Sequence, residues 1–373
     1  MKHLQLSYLP IILVISALFL LYGTVSVFAD EPDPLIGIER TKNKEEVEIT
    51  SAILNAFAPL PQEVLPSDYE LSEELITLGR MLYYEKRLSI NQQVSCNSCH
   101  LLDKFGVDGL PNSIGHNGAR GDRNAPTVYN AALHLAQFWD GRAPTLEAQA
   151  EAPILNPIEM GMPSEESVEG VLKSIPGYRP LFEAAFPNQD EPITFEHTAL
   201  AIGAFERRLM TPSRFDRFLE GNPWQLSEQE KRGLRTFNEV NCTMCHLGPA
   251  VGGSMYQKMG LVEPYETEDL GRFNVTGQES DKYVFKVPSL RNVAKTGPYL
   301  HDGSIETLDE TIRIMAKYQL GEQLTDEQVA DIKAFLGSLT GDIPTEYIAE
   351  PELPASASIK TFLPVFFSSA SHH

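Results

Sequence analysis

The sequence predicts a mainly α-helical protein, built from two similar helical units with long loops and little strand. Three observations carry this. All 4 cysteines fall in two identical frames, Cys96-Asn97-Ser98-Cys99-His100 and Cys242-Thr243-Met244-Cys245-His246. A helical apolar pattern precedes each frame, and another closes each half. The remainder is punctuated by 26 Gly and 26 Pro in 373 residues.

The elements follow in chain order. An uncharged apolar run from Ile11 to Phe28, after Lys2 and before Asp30, reads as a signal peptide over 1–29. Cleavage after Ala29 and an uncleaved N-terminal anchor both remain open, and both place the folded part outside the cytoplasm. Charged and Pro-rich residues 30–59 read as a linker. An N-terminal unit is expected over 60–215. Its opening helix carries Leu71, Leu75, Leu78 and Leu82 at helical spacing, with Ser72 as N-cap, and its closing helix carries Ala199, Ile202, Phe205 and Leu209. A C-terminal unit is expected over 216–345. There, Ser227 and Glu230 form a capping box before a helix through Phe237. Thr325 and Gln328 form a second box before Val329, Ile332, Phe335 and Leu339. Each opening helix holds a glycine with an aromatic four residues on: Gly79 with Tyr83, Gly233 with Phe237. Residues 346–373 read as a flexible tail with an unpartnered Phe362–Phe367 patch.

Composition narrows function. Hydrophobic residues are 42% and charged residues 22%, which excludes wholesale disorder and a polytopic membrane protein. A formal net charge of -21 would repel a phosphate backbone, so no nucleic-acid partner is expected.

C-x-x-C-H is the attachment pattern of c-type haem: two thiols form thioethers with the porphyrin, and the histidine reaches the iron. One such frame could instead be a disulfide, a zinc knuckle or a redox pair. Two frames, no spare cysteine and an export signal favour two covalently bound haem c groups, with His100 and His246 as proximal ligands. The opposite ligand sets each haem's task, because a methionine raises the potential and a releasable position permits oxygen chemistry. In the second half, the candidates are Met255, Met259, Met315 and His301. Met315 stands just before the closing helix, where core packing is the competing explanation. In the first half, Met160 and Met162 compete with His116, which lies in the Gly-rich stretch Pro111-Asn112-Ser113-Ile114-Gly115-His116-Asn117-Gly118. Composition leaves that contest open.

Longer stretches carry a resemblance: Phe105-Gly106-Val107-Asp108-Gly109, Arg123-Asn124-Ala125-Pro126-Thr127-Val128, Gln137-Phe138-Trp139-Asp140-Gly141-Arg142-Ala143, Val287-Pro288-Ser289-Leu290-Arg291-Asn292-Val293 and Tyr299-Leu300-His301-Asp302-Gly303-Ser304. From about 70 to 340 the chain resembles the bacterial dihaem cytochrome c peroxidases, which reduce hydrogen peroxide to water in the periplasm. The resemblance implies two cytochrome c-like domains, a small cytochrome c or copper protein as electron donor, and a homodimer. It implies that His100 holds the low-potential peroxidatic haem and His116 its releasable distal ligand. It assigns His246 and Met315 to the high-potential, electron-accepting haem, and Trp139 to the space between the haems. Gln149 and Glu159 would be the polar residues of the peroxide pocket, with Glu159 as acid–base group. Asn124, Thr296 and Pro298 would hold a calcium ion between the domains, the last two through backbone carbonyls.

Two other readings remain. One is a dihaem electron carrier with Met160 on the first iron. The other is an enzyme resembling the methylamine dehydrogenase maturation enzymes, which oxidise a protein; that group has a tyrosine where this chain has Met315.

Overall fold

The computed structural model describes residues 47–356, all within one unit that begins at Glu45. The expected signal or anchor over 1–29, most of the expected linker and the Phe362–Phe367 patch lie outside the described residues. No helix among the described residues is long and apolar enough to cross a membrane.

Nine helices of six residues or more occur among the described residues. They are α1 (Glu73–Tyr84), α2 (Leu146–Leu155), α3 (Glu165–Lys173), α4 (Tyr178–Ala185), α5 (Phe195–Glu206), α6 (Arg214–Leu219), α7 (Glu228–Glu239), α8 (Leu308–Met315) and α9 (Asp326–Ser338). One two-stranded antiparallel ribbon, β1 (Tyr256–Lys258) with β2 (Val284–Lys286), pairs Tyr256 with Lys286. The architecture is mainly helical, with long loops and little strand. Caps sit where the sequence places them. Ser72 Oγ accepts from Leu75 N, and capping boxes Ser227/Glu230 and Thr325/Gln328 open α7 and α9.

Two apolar cores form. The first gathers Leu75, Leu78, Leu82, Tyr83, Ile202, Phe205 and Leu209; the second gathers Phe215, Leu234, Phe237, Ile332, Phe335 and Leu339. In each, the opening helix crosses the closing helix at a glycine. A Cβ on Gly79 would lie 1.8 Å from the Ala201 carbonyl oxygen, and one on Gly233 would lie 1.9 Å from that of Asp331. Backbone meets backbone at both crossings, and the aromatic four residues on, Tyr83 or Phe237, packs into the core beside it.

Both expected flexible ends are partly structured. Within the linker stretch, Ser51–Leu54 form a helical turn, and Ile53 and Phe57 pack into the second core. Beyond α9 the chain returns to the first core. Ile348 is buried there, Tyr347 stacks on Phe205 at 5.0 Å, and the Tyr84 hydroxyl donates to the Ile348 carbonyl. Arg87 then donates to the Pro354 carbonyl at 2.9 Å. Apolar side chains at 53, 57 and 348 outweigh the surrounding Pro and charge, because each finds a core to enter.

The crossings yield a test. Gly79→Ala must separate two backbones and is expected to destabilise the fold by about 3 kcal/mol. Gly170→Ala, in α3 with nothing within 4 Å of the added carbon, is expected to stabilise it by about 0.5–1 kcal/mol. Chemical denaturation followed by far-UV circular dichroism checks both.

Candidate active site

Each attachment frame opens a tight turn. Cys96–Cys99 form one helical turn capped by Ser95 and Ser98, and Cys242–Met244 form a 3-10 turn after Asn241, which has φ 67°. All four thiols are free. Burial pushes them up, Cys99 to about 11 and Cys242 to about 12. Burial also lowers both adjacent histidines, His246 to about 4, so the rings are neutral. His100 Nδ1 lies 3.4 Å from the Gly106 carbonyl, and His246 Nδ1 lies 3.3 Å from that of Val251. A neutral ring held by Nδ1–H leaves the Nε2 lone pair for a metal. Two unpaired thiols and one such imidazole per frame are the donor set a c-type haem requires.

A cavity opens at each frame. The one at Cys242, Cys245 and His246 is walled by apolar groups, with Met259, Met315 and Leu320. The one at Cys99 and His100 is more polar, with Gln149, Asn156 and Glu159. Trp139, Asn124, Phe138 and His301 line both. The Trp139 indole N–H donates to the Asn124 carbonyl at 2.9 Å, and its ring meets His301 edge-on at 6.5 Å. Ion pairs line the first cavity: Arg123 holds Asp140 at 2.6 Å and Asp269 at 2.7 Å.

The loops that wall the two cavities, from Pro126 and from Pro288 onward, repeat in sequence at one offset of their own, a signal that apolar periodicity does not reveal. Pro126-Thr127-Val128-Tyr129-Asn130 matches Pro288-Ser289-Leu290-Arg291-Asn292. Thr127 Oγ1 donates to the Phe105 carbonyl and Ser289 Oγ to that of Ala250. Asn130 and Asn292 both have φ near 60° (61° and 62°), and both donate through Nδ2 to Thr211 Oγ1, at 2.9 and 2.8 Å. Phe138 and Leu300 share positive φ, 64° and 69°, and Gln137–Ala143 and Tyr299–Ile305 are the same antiparallel bridge. Thr145 then caps α2 and Thr307 caps α8. At this register Trp139 corresponds to His301 and Gln149 to Thr311. Pro153 corresponds to Met315. Both members of each pair line their cavities.

The remaining expected residues divide. Glu159 reaches the first cavity. Burial raises its carboxyl above the usual range against a hydrogen bond from Asn156 at 2.8 Å. His116 is not part of the cavity wall. Its neighbour Gly115 is, whereas the His116 ring turns away and places Nε2 2.9 Å from the Pro157 carbonyl. Met160 and Met162 are buried in the first core and line neither cavity. Asn124, Thr296 and Pro298 come together in the wall of the second cavity. Asn124 Nδ2 donates to the Leu110 and Pro111 carbonyls, at 2.9 and 3.2 Å. No group of three or more His, Cys, Asp or Glu suited to a metal occurs among the described residues.

Comparisons with known proteins agree with this construction. A family profile described as di-haem cytochrome c peroxidase matches residues 73–223, and a cytochrome c profile matches 230–340. The chain is 45% identical over 312 residues to cytochrome c551 peroxidase of Nitrosomonas europaea, covering 82% of this chain and 91% of that one. It is 44% identical over 308 residues to cytochrome c551 peroxidase of Pseudomonas aeruginosa, covering 80% and 88%. It is also 34% identical to methylamine utilization protein MauG of Methylorubrum extorquens, covering 81% and 88%. Among solved structures, a MauG-like protein associated with microbial copper homeostasis superposes with TM-score 0.70 at 33% identity, covering 78% of this chain and 97% of that one. Two cavities of this kind on two cytochrome c-type domains define a dihaem oxidoreductase. The chain belongs to the di-haem cytochrome c peroxidase family, whose chemistry is hydrogen peroxide reduction at a two-haem centre.

The repeated loops also set a charge beneath the second cavity. Arg291 is 1% exposed and pairs with Asp216 at 2.7 Å. Burial pulls Asp216 up, but the Arg291 guanidinium overrides this and holds the carboxyl below its usual range. The pair therefore stabilises the fold above about pH 4 and is lost as pH falls through the lowered value. Arg291→Met strands a buried carboxylate and is expected to cost about 3–5 kcal/mol. Thermal unfolding across pH should show that deficit shrinking in acid.

Proposed function

We propose that the cavity at His100 is where peroxide is reduced and that the cavity at His246 receives electrons from a small cytochrome c or copper protein outside the cytoplasm. The observation that carries this reading is the register pair Pro153 and Met315. The second cavity presents a thioether where the first presents a proline ring, which cannot ligate iron. With a haem bound at each frame, this position would offer a thioether ligand in the second cavity and no ligand in the first. Met160, the ligand of the electron-carrier reading, is 3% exposed in the core.

A haem bound at each frame would supply redox-active iron and a binding position for peroxide oxygen. The protein's own groups do the rest. Gln149 offers an amide N–H to hold peroxide in place. Glu159, whose carboxyl burial pushes above its usual range, moves a proton from the near oxygen to the departing one. Trp139 fills the wall common to both cavities and gives electrons an aromatic path between them. His116 is a releasable ligand. In this conformation its ring is tied to Pro157, and its approach to the first iron requires that bond to break. Calcium held by Asn124 with the Thr296 and Pro298 carbonyls would brace the same wall. A homodimer is part of the proposal by kinship.

Met315→Leu is expected to turn the second haem high-spin, while Met160→Leu leaves the first haem's spectrum unchanged. Electron spin resonance of the oxidised protein decides. Pro153→Met is expected to close the first iron as a low-spin His/Met site and to cut peroxide turnover by about a hundredfold or more. A spectrum that stays open to added cyanide after that change would refute the register argument. His116→Gly should let the fully oxidised protein react with peroxide without prior reduction.

A further inference from the structure

Glu206 ends α5 and is 3% exposed. It lines the first cavity together with His100, Gln149 and Glu159. Its Oε2 is buried with no hydrogen-bond partner, an arrangement that native proteins keep rarely and at a cost. The groups nearest to it are committed elsewhere. The Tyr83 hydroxyl of α1 donates to the His100 carbonyl, and Glu147 of α2 is held by Arg207 and Tyr69. Cys96 is an attachment thiol. No cation pairs with Glu206 among the described residues.

The repeat shows that the fold does not need this carboxyl. In the closing helices, at an offset different from that of the cavity loops, Ala201, Ile202, Phe205 and Leu209 correspond to Asp331, Ile332, Phe335 and Leu339, with Ala201 and Asp331 making the two glycine contacts. At that register Glu206 corresponds to Leu336, a core leucine 3% exposed. The same helix position is filled by a hydrocarbon in the electron-receiving half and by an acid in the half with the open face.

We propose that Glu206 is a proton-donating residue of the first cavity, supplying one of the two protons that peroxide reduction takes up. The proposal rests on the peroxidase reading above. Reduction of one hydrogen peroxide consumes two electrons and two protons and gives two waters. Glu159 can carry a proton from one peroxide oxygen to the other, which breaks the O–O bond but adds no proton to the sum. The oxygen left in the cavity must gain protons as the external redox donor delivers electrons. Glu206 gives its carboxylic proton to that oxygen, directly or through cavity water, and regains one from bulk solvent through the open mouth. Burial, with Glu147 as a lesser cause, raises the carboxyl to about 8, so it holds its proton at neutral pH. A group raised in this way is neutral below that value and charged above it. Donation therefore fails as pH rises through that value, and the loss of fold stability, which sets in above the ordinary carboxyl range, is complete there. The groups facing it from the packed elements are Tyr83, Cys96 and Glu147, none of which is an iron ligand in this reading.

Infrared spectroscopy of the haem-loaded resting protein is the first test. A carboxylic-acid carbonyl band should titrate away near pH 8 and be missing from Glu206→Gln and Glu206→Leu. Leucine is the residue that the second half already packs at this position, so that variant guards against misfolding. Kinetics with peroxide and a reduced small cytochrome give the second test. Steady-state turnover should fall by about a hundredfold in both variants and lose its alkaline limb, while the first peroxide met by half-reduced protein reacts within about twofold of the parent. Absence of the band in the parent protein, or variants that match it at every pH, would overturn the proposal. So would equal losses in the first turnover and the steady state, which mark a packing defect. A parent protein that never consumes peroxide would sink the peroxidase reading instead, and the infrared band would still decide whether Glu206 holds its proton.

Discussion

Two glycines let helices touch through their backbones, and the rest of the structure hangs from those contacts. With Gly79 against Ala201 and Gly233 against Asp331, each opening helix lies so close to its closing helix that no side chain fits between them. The second attachment frame follows α7 almost at once, and the first follows α1 after the short turn Lys86–Leu88 and a loop, so each crossing helps set where the thiols and the histidine stand. The long loops beyond need not form a continuous apolar layer of their own, because their job is to wall a cavity. This explains how a chain with so little sheet keeps two well-buried cores.

On this duplicated scaffold, function separates by a handful of substitutions at equivalent positions. Proline faces methionine across the repeat, glutamine faces threonine, tryptophan faces histidine, and glutamate faces leucine. None of these exchanges disturbs the shared turns, since Asn130 and Asn292 keep the same backbone conformation and the same partner. One half acquires a polar cavity with an open side, and the other an apolar cavity with a thioether. Difference in chemistry costs little in architecture, because the altered residues all face cavity rather than core, Leu336 excepted.

The halves are also joined in ways that bear on their communication. Thr211 accepts from the turn asparagine of each half through a single hydroxyl. Arg123 holds one carboxylate from each half of the chain, Asp140 and Asp269. The returning segment through Tyr347 and Ile348 straps the second half's end onto the first core. Partly buried charge pairs of this kind stabilise modestly but specify geometry, because an unpaired member is costly.

The sequence by itself determined the opening and closing helices of each half, the caps at Ser72, Ser227 and Thr325, and the two attachment frames, because each depends on residues close together in the chain. It also allowed the family to be recognised, and with it a list of site residues. Only the tertiary structure decided which of them share a cavity. His116 stands in a promising loop, yet its ring points to Pro157; Met160 has a ligand's chemistry, yet lies in the core. Residues 53, 57 and 348 read as linker and tail because their local composition is polar, and their burial depends on cores made by distant segments. Pro153 and Glu206 carried no local signal. A proline in a helix and an acid at a helix end are commonplace until the fold sets them beside Met315 and Leu336 in register, where their difference acquires a chemical meaning.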